Sequence, residues 1–335
     1  MTEHHGTGVP PGFPASPREH LSSPVTRTVL RIQYRILDAA REYLRGEGFT
    51  ELLPPLLGPV TDPGGRGSKP IDVDFYGHRY KLMTSAILYK QASLLAFDRI
   101  FYIAPNVRME PPETASTGRH LVEFHQIDVE VAGAGRDDAT RLAEGLVRHA
   151  VRRVVDQLPA ELEQLGRDAG AFTELLAAPF GHRTHADAVA ELHAMGHPQS
   201  PDGEIDWQAE VKLSGKASGP FFVEDYPKGS RGFYDREDPD RPGTLRNFDL
   251  IAPEGYGELC SGSERESAYE RIVTRMRETG ENPAKYGWYL QLARDGIPAS
   301  AGFGLGLERF TRYVAGLDAV WQANAYPKLA GVTSP

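Results

Sequence analysis

Strand-like stretches in this chain are separated mostly by loops or long insertions, never by a regular alternation with helices. Several lie between residues 71 and 131, interrupted by a single apolar helix around Ala86–Phe97, and more follow at Pro220–Val223, Leu245–Ile251 and Gly257–Leu259. A doubly wound parallel sheet requires βαβ alternation. Its absence points to an α+β fold, an antiparallel sheet flanked by helices.

The helical segments carry their own signals. Val29, Leu30, Ile32, Ile36, Leu37, Ala40 and Leu44 recur at helical spacing between Thr26 and Gly46, and Gly46 and Gly48 close that helix. The GFTELLPPLL that follows reads as a strand stopped by Pro54 and Pro55, and residues 58–70 as a loop dense in turn formers. Residues 1–24, rich in Pro, Gly, Ser and His, read as a flexible arm. Residues 25–335 read as one domain, with Arg136–Leu165 helical and a more polar insertion around 178–218 carrying a helix near Ala186–Met195. A charged helix is expected over Glu264–Thr279, and a Gly-punctuated strand over Ser300–Phe310.

Composition excludes some functions. A single cysteine, Cys260, rules out an internal disulfide framework and a multi-cysteine zinc site. No apolar run approaches the roughly 20 residues that span a bilayer, so a cytoplasmic protein is expected. The net charge of −9 argues against a nucleic-acid partner gripped mainly through phosphates.

Three stretches carry chemistry. In VRMEPPETASTGRHLVEFHQIDVE (107–130), alternation puts Arg108 and Glu110 on one face of a strand. A guanidinium fork there suits a phosphate and the charge that develops on it, although an isolated Arg-x-Glu is equally a cross-strand ion pair. In SAGFGLGLERF (300–310), Gly302, Gly304 and Gly306 leave one strand face without side chains, as close approach of a ligand or backbone requires. In NFDLIAPEGYGELCSGSERES (247–267), Asp249, Glu258 and Ser261 offer hard oxygens that suit Mg²⁺, or else hydrogen-bonded carboxylates at strand ends.

In this order, after a long helix and a proline-stopped strand, the stretches resemble motifs 1, 2 and 3 of class II aminoacyl-tRNA synthetases. The resemblance spans about residues 24–333 and is nearest to the aspartyl/asparaginyl subgroup. It implies ATP and Mg²⁺ as cofactors and motif 1 as the seam of a homodimer. It implies that Arg108 holds the α-phosphate, Glu110 reads the adenine amino group, Phe124 stacks under the ring and His120 touches the terminal phosphate. Gly304 and Gly306 would face ATP, Arg309 would hold the γ-phosphate, and Glu258 with Ser261 would hold Mg²⁺, with Asp249 beside them. Arg108, Arg309 and Glu258 are thereby the catalytic set.

YKLMTSAILYKQ (80–91) resembles the amino-acid-binding segment of that subgroup, with Lys90 where aspartyl enzymes have lysine and Ile87 where the subgroup usually has glutamine. Arg265 matches the arginine that grips the substrate's side chain. Two cations facing one site call for a carboxylate, hence aspartate. Ser85, Gln126 and Asp128 are assigned to the substrate ammonium.

Motif 1 begins about 25 residues in, which leaves no room for an anticodon-binding OB-fold. The motif 2 loop, EPPETASTG, carries no cation. GPVTDPGGRG, TGRHLVEF, SRGFYDRED and AVWQANAYPKL resemble archaeal-type asparagine synthetases. The resulting expectation is aspartate, ATP and ammonia giving asparagine, AMP and pyrophosphate, without tRNA or membrane. In that case Lys90 and Arg265 would hold the α-carboxylate. The alternatives are another small amine as acceptor, or a truncated asparaginyl/aspartyl-tRNA synthetase paralogue.

Overall fold

The computed structural model describes residues 10, 12–14, 16–63 and 68–334. Of the arm expected over 1–24, residues 1–9, 11 and 15 lie outside the described residues, as do 64–67 of the loop at 58–70. The rest of that arm is packed. Helix α1 (Pro17–Ser22) is capped by Ser16, whose side chain accepts from the Glu19 N–H, and His20 is buried with Nε2 2.8 Å from the Asn324 carbonyl. Ser and Pro, read as loop formers, act here as N-cap and first-turn residues. Helix α2 (Pro24–Gly46) likewise starts on a proline and buries Val29, Ile32, Ile36, Ala39, Ala40 and Leu44.

The strand after α2 is shorter than expected. Pro54 and Pro55 leave only β1 (Thr50–Glu51) and, beyond them, β2 (Leu57–Gly58). β2 joins the hairpin β3 (Asp72–Phe75) and β4 (His78–Leu82) in a small sheet, order β2-β4-β3. Helix α3 (Ile87–Ser93) precedes the long pair β5 (Arg99–Val107) and β6 (Glu123–Ala132). The helical run after β6 divides at Leu158 into α4 (Arg136–Gln157) and α5 (Pro159–Gln164), because Pro159 has no N–H to continue the ladder. Helix α6 (Thr173–Ala177) follows.

The segment 178–218 contains β7 (Gly181–Thr184), α7 (His185–Ala194) and α8 (Trp207–Lys216). It is part of the main sheet and no separate appendage, since β7 pairs in parallel with β8 (Phe221–Glu224). After β9 (Asn247–Ala252), β10 runs from Gly257 through Glu264, so the charged helix α9 begins later than expected, over Tyr269–Glu278. Helix α10 (Gly287–Asp295), β11 (Ser300–Gly306) and α11 (Leu307–Ala315) complete the order, with the glycine strand ending at Gly306.

The main sheet has eight strands in the order β1-β5-β6-β11-β10-β9-β8-β7. Its six central strands are antiparallel, as the spacing implies, and the two outermost pairs are parallel. Period-two alternation gives the two faces opposite chemistry. Ile127, Val129, Ala301, Phe303 and Leu305 pack with α2 and α4 in the principal core. Gln126, Asp128 and Glu130 stand on the other face of β6, opposite Gly306, Gly304 and Gly302 of β11. That face carries the cavity.

Candidate active site

A cavity of about 800 Å³ opens over this polar face. Its walls include Ser85, Lys90, Gln126, Asp128 and Arg265 towards one end and Arg108, Glu110, His120, Glu258 and Arg309 towards the other. Residues up to 224 positions apart in sequence thus converge on one volume, because β6, β10 and β11 are neighbours in the sheet.

The first end is a dense ionic network. Lys90 on α3 is 2% exposed, which removes any reading of it as a solvated helix residue. Its Nζ donates to Asp128 Oδ1 at 2.9 Å and to the Phe303 carbonyl at 3.0 Å, with Glu130 Oε2 at 3.7 Å. Arg265 meets Glu130 with Nε at 3.0 Å from Oε1 and Nη2 at 3.1 Å from Oε2, and its Nη1 donates to Ser263 Oγ. Asp235 lies 3.7 Å from Arg265 and accepts from Ser263, and burial pushes its carboxyl above the ordinary aspartate range. The two cations therefore already face carboxylates of the protein, so their mere number does not specify an acidic substrate. That corrects the argument made from sequence.

Asp128 Oδ2 is buried and has no hydrogen-bond partner among the described residues. A buried acceptor of this kind calls for a donor, which a ligand ammonium would supply. Gln126 is held by Asn106, whose Nδ2 donates to its Oε1 at 2.8 Å. Glu130, absent from the sequence-derived set, is completely buried and ties Arg265 to the Ser300 hydroxyl at 2.9 Å. The alternation that singles out Gln126 and Asp128 extends to it. Asp235 lies within SRGFYDRED, where the sequence offers no signal of its proximity to Arg265.

The glycine strand also needs a correction. A Cβ at Gly304 would stand 2.6 Å from Gln126 Nε2 and 2.9 Å from Asp128 Oδ1, and one at Gly302 would clash with the Glu130 carboxylate. These two glycines make room for side chains of β6. Gly304 still lines the cavity wall, and at Gly306, which lines a smaller pocket with Gly304, the atoms nearest a Cβ lie at 3.6 Å.

At the other end, Arg108 follows β5, donates from Nε to the Thr84 carbonyl at 3.0 Å and lies over the Phe124 ring, 5.0 Å from its centroid. An adenine on the Phe124 side would share this stack. His120 Nδ1 is 2.7 Å from Thr117 Oγ1. Arg309, in the first turn of α11, reaches Glu258 Oε1 at 3.3 Å.

The three oxygens expected around Mg²⁺ divide. Asp249 accepts from both terminal nitrogens of Arg231, at 3.2 and 2.6 Å, and Arg231 also meets the Ser261 hydroxyl at 3.1 Å. Burial works against the charge of Arg231, but Asp249 and Glu204 outweigh it and hold its pKa above the ordinary arginine value. Asp249 is thus committed to a cation of the protein and is absent from the cavity wall. Glu258 and Ser261 do line it. One carboxylate and one hydroxyl fit a Mg²⁺ that keeps waters and shares the phosphates of its nucleotide. Among the described residues no group of three His, Cys, Asp or Glu side chains could hold a metal by itself.

Comparison with known proteins follows the same lines. The family described as tRNA synthetases class II (D, K and N) matches residues 18–330. The asparagine–tRNA ligase of Thermococcus gammatolerans is 33% identical over 315 residues, covering 92% of this chain and 70% of that protein. That of Thermus thermophilus is 35% identical over 308 residues, covering 90% and 69%. Among solved structures, Pyrococcus horikoshii asparaginyl-tRNA synthetase complexed with asparaginyl-adenylate superposes with a TM-score of 0.90 at 30% identity, over 95% of this chain and 72% of that one.

Proposed function

The chain belongs to the class II tRNA synthetases of the D, K and N type, and from that premise we propose that it joins an amino acid to ATP as an aminoacyl adenylate. The observation that carries this reading is one continuous cavity wall that includes Asp128, whose Oδ2 is unpaired among the described residues, together with Arg108, Glu258 and Arg309. In this reading Asp128 takes the substrate ammonium. Arg108 holds the α-phosphate while the carboxylate attacks in line, and Arg309 steadies the departing pyrophosphate, with Glu110 and Phe124 on the adenine. Mg²⁺, held by Glu258 and Ser261, would supply charge neutralisation on the phosphates. No side-chain nucleophile is needed; the work is positioning and preorganised charge.

Two acceptors fit. The names of the relatives favour a synthetase paralogue that activates asparagine for tRNA. One specific observation favours a small amine such as ammonia as the acceptor. Of the cations that could have formed a tRNA-facing patch, Arg119 and Arg231 are turned inward into ion pairs with Glu210 and Asp249, and Arg236 is paired with Glu264. The motif 2 loop itself folds as a short turn over Pro112–Ser116 with Glu113 in it. The test is pyrophosphate exchange with aspartate or asparagine, followed by transfer to ammonium or to total tRNA. Asparagine and AMP in equal amounts would establish the ammonia ligase; acid-precipitable label on tRNA would establish the synthetase paralogue. No exchange with either amino acid would remove the adenylation reading.

The same reading makes α2 and the proline-stopped segment after it a homodimer seam. Val25, Tyr34, Leu53 and Leu56 are exposed there, Leu53 at 93%. Sedimentation is expected to show a dimer that Tyr34→Glu with Leu53→Glu converts to monomer.

A further inference from the structure

Helix α8, in the segment that reads from sequence as a polar insertion, reaches the phosphate end of the cavity without lining it. Its Glu210 is 4% exposed. One oxygen, Oε1, accepts from the backbone N–H of Glu258 and from Arg119 Nη2 at 2.6 Å. Arg119 is equally buried and also donates to the Trp207 carbonyl at the start of α8. The carbonyl of Arg119 in turn accepts from Arg309 Nε at 3.4 Å, and Arg309 Nη1 meets the Glu258 carboxylate. One turn along α8, Ser214 Oγ accepts from the Gly257 N–H at 3.1 Å and donates to the Ala252 carbonyl. The chain packs so tightly here that a Cβ on Gly257 would lie 2.8 Å from Arg119 Nη1. Three guanidinium groups crowd this end: burial, with Arg119 and Arg309 nearby, holds the pKa of Arg312 down to about 10. Glu210 is the buried carboxylate that pairs with one of them, Arg119.

We infer that Glu210 is a positioning residue for the nucleotide: it fixes Glu258 through its backbone N–H and Arg309 through Arg119, so that both face the phosphates before ATP arrives. The inference rests on the adenylation reading only for the identity of the ligand. The segment 178–218 is on this account a brace for the active site, linked to β10 by Glu210 and Ser214 and to α11 through Arg119.

The experiment compares Glu210→Gln with Asp206→Ala. Asp206 caps α8, its side chain accepting from the Ala209 N–H at 2.9 Å and from Gln199 Nε2 at 2.8 Å, neither of which belongs to a cavity-wall residue. Both substitutions loosen the helix; only the first disturbs Glu258 and Arg309. Mg·ATP affinity is measured by calorimetry alongside exchange kinetics. Glu210→Gln is expected to weaken Mg·ATP binding by about tenfold or more, as loss of an orienting partner does, with the amino-acid KM within about twofold of wild type. Asp206→Ala is expected to lower Tm and leave Mg·ATP affinity unchanged. Should Glu210→Gln fail to fold, Arg119→Lys, which keeps the charge and loses the fork, is expected to weaken Mg·ATP in the same direction. Equal Mg·ATP affinity in wild type and the Glu210 or Arg119 variant would overturn the inference, and so would an equal loss in Asp206→Ala. Absence of exchange in the wild type, with ATP binding intact, would strike the adenylation reading and leave this comparison interpretable.

Discussion

The two ends of the cavity are built on different principles. At the amino-acid end Lys90, Asp128, Glu130 and Arg265 are all at most 4% exposed and meet one another in hydrogen-bonded pairs. At the phosphate end Arg108 leans on a neutral carbonyl and an aromatic face, and the side chains of Glu258 and Arg309 keep 13% and 25% exposure. A charge withdrawn from water must be matched within the protein, and a pair so matched is costly to break. A charge nearer solvent, such as Arg309 paired with Glu258, is screened and costs less to re-pair. The buried end is thus preformed, and in the proposed reading the more open end is where the phosphates would bind.

The strongest way to break this contrast is Arg265→Leu, which leaves Glu130 buried without its bidentate partner. Denaturant titration is expected to show a loss of about 3–5 kcal/mol, together with loss of activity. Arg265→Leu combined with Glu130→Leu should recover most of that stability while remaining inactive, separating the structural role of the pair from the chemical one. If the single variant unfolds like wild type, the amino-acid end is not the preformed element described here.

Next in size, and confined to catalysis, is Arg108→Ala. Its kcat/KM for adenylation is expected to fall by about 10²–10³, or 2.7–4 kcal/mol, as when one preorganised donor to a developing anion is removed. Thermal unfolding should barely move. A loss below tenfold would place the phosphate elsewhere, and a large drop in Tm would erase the distinction between the two ends.

A smaller effect is expected at the metal. Glu258→Gln should raise the Mg²⁺ concentration for half-maximal exchange by about tenfold. An unchanged Mg²⁺ dependence would mean that the carboxylate serves only to hold Arg309.

The smallest concerns His125, just before Gln126 on β6. Its Nδ1 lies 2.9 Å from Glu308 Oε1, and that hydrogen bond raises its pKa against the opposing effect of burial. A folded-state pKa above the unfolded one gives stability that is fully present below about pH 6.5 and is lost as pH rises through the raised value. The ring is more than a third exposed, so solvent screens the pair and the slope should be shallow. Tm followed from pH 6 upward should decline slightly in wild type and stay flatter in His125→Gln.

Much of this was legible in the chain. The α+β class, α2, the strand pair around EPPETASTG and the glycine strand leading into α11 all follow from local periodicity and from Gly and Pro punctuation, which act over a few residues. The resemblance to class II synthetases named most of the residues that line the cavity. Sequence could not show that Gly302 and Gly304 accommodate Glu130, Gln126 and Asp128, because that depends on register between two strands far apart in the chain. Nor could it show that Asp249 is taken by Arg231, that Lys90 and Arg265 are already neutralised, or that Glu210 reaches from α8 to β10. Propensity and patterning are properties of neighbours along the chain; which charge meets which is decided only when the sheet brings distant strands within a few ångströms, where Coulomb interaction and desolvation become strong enough to choose partners.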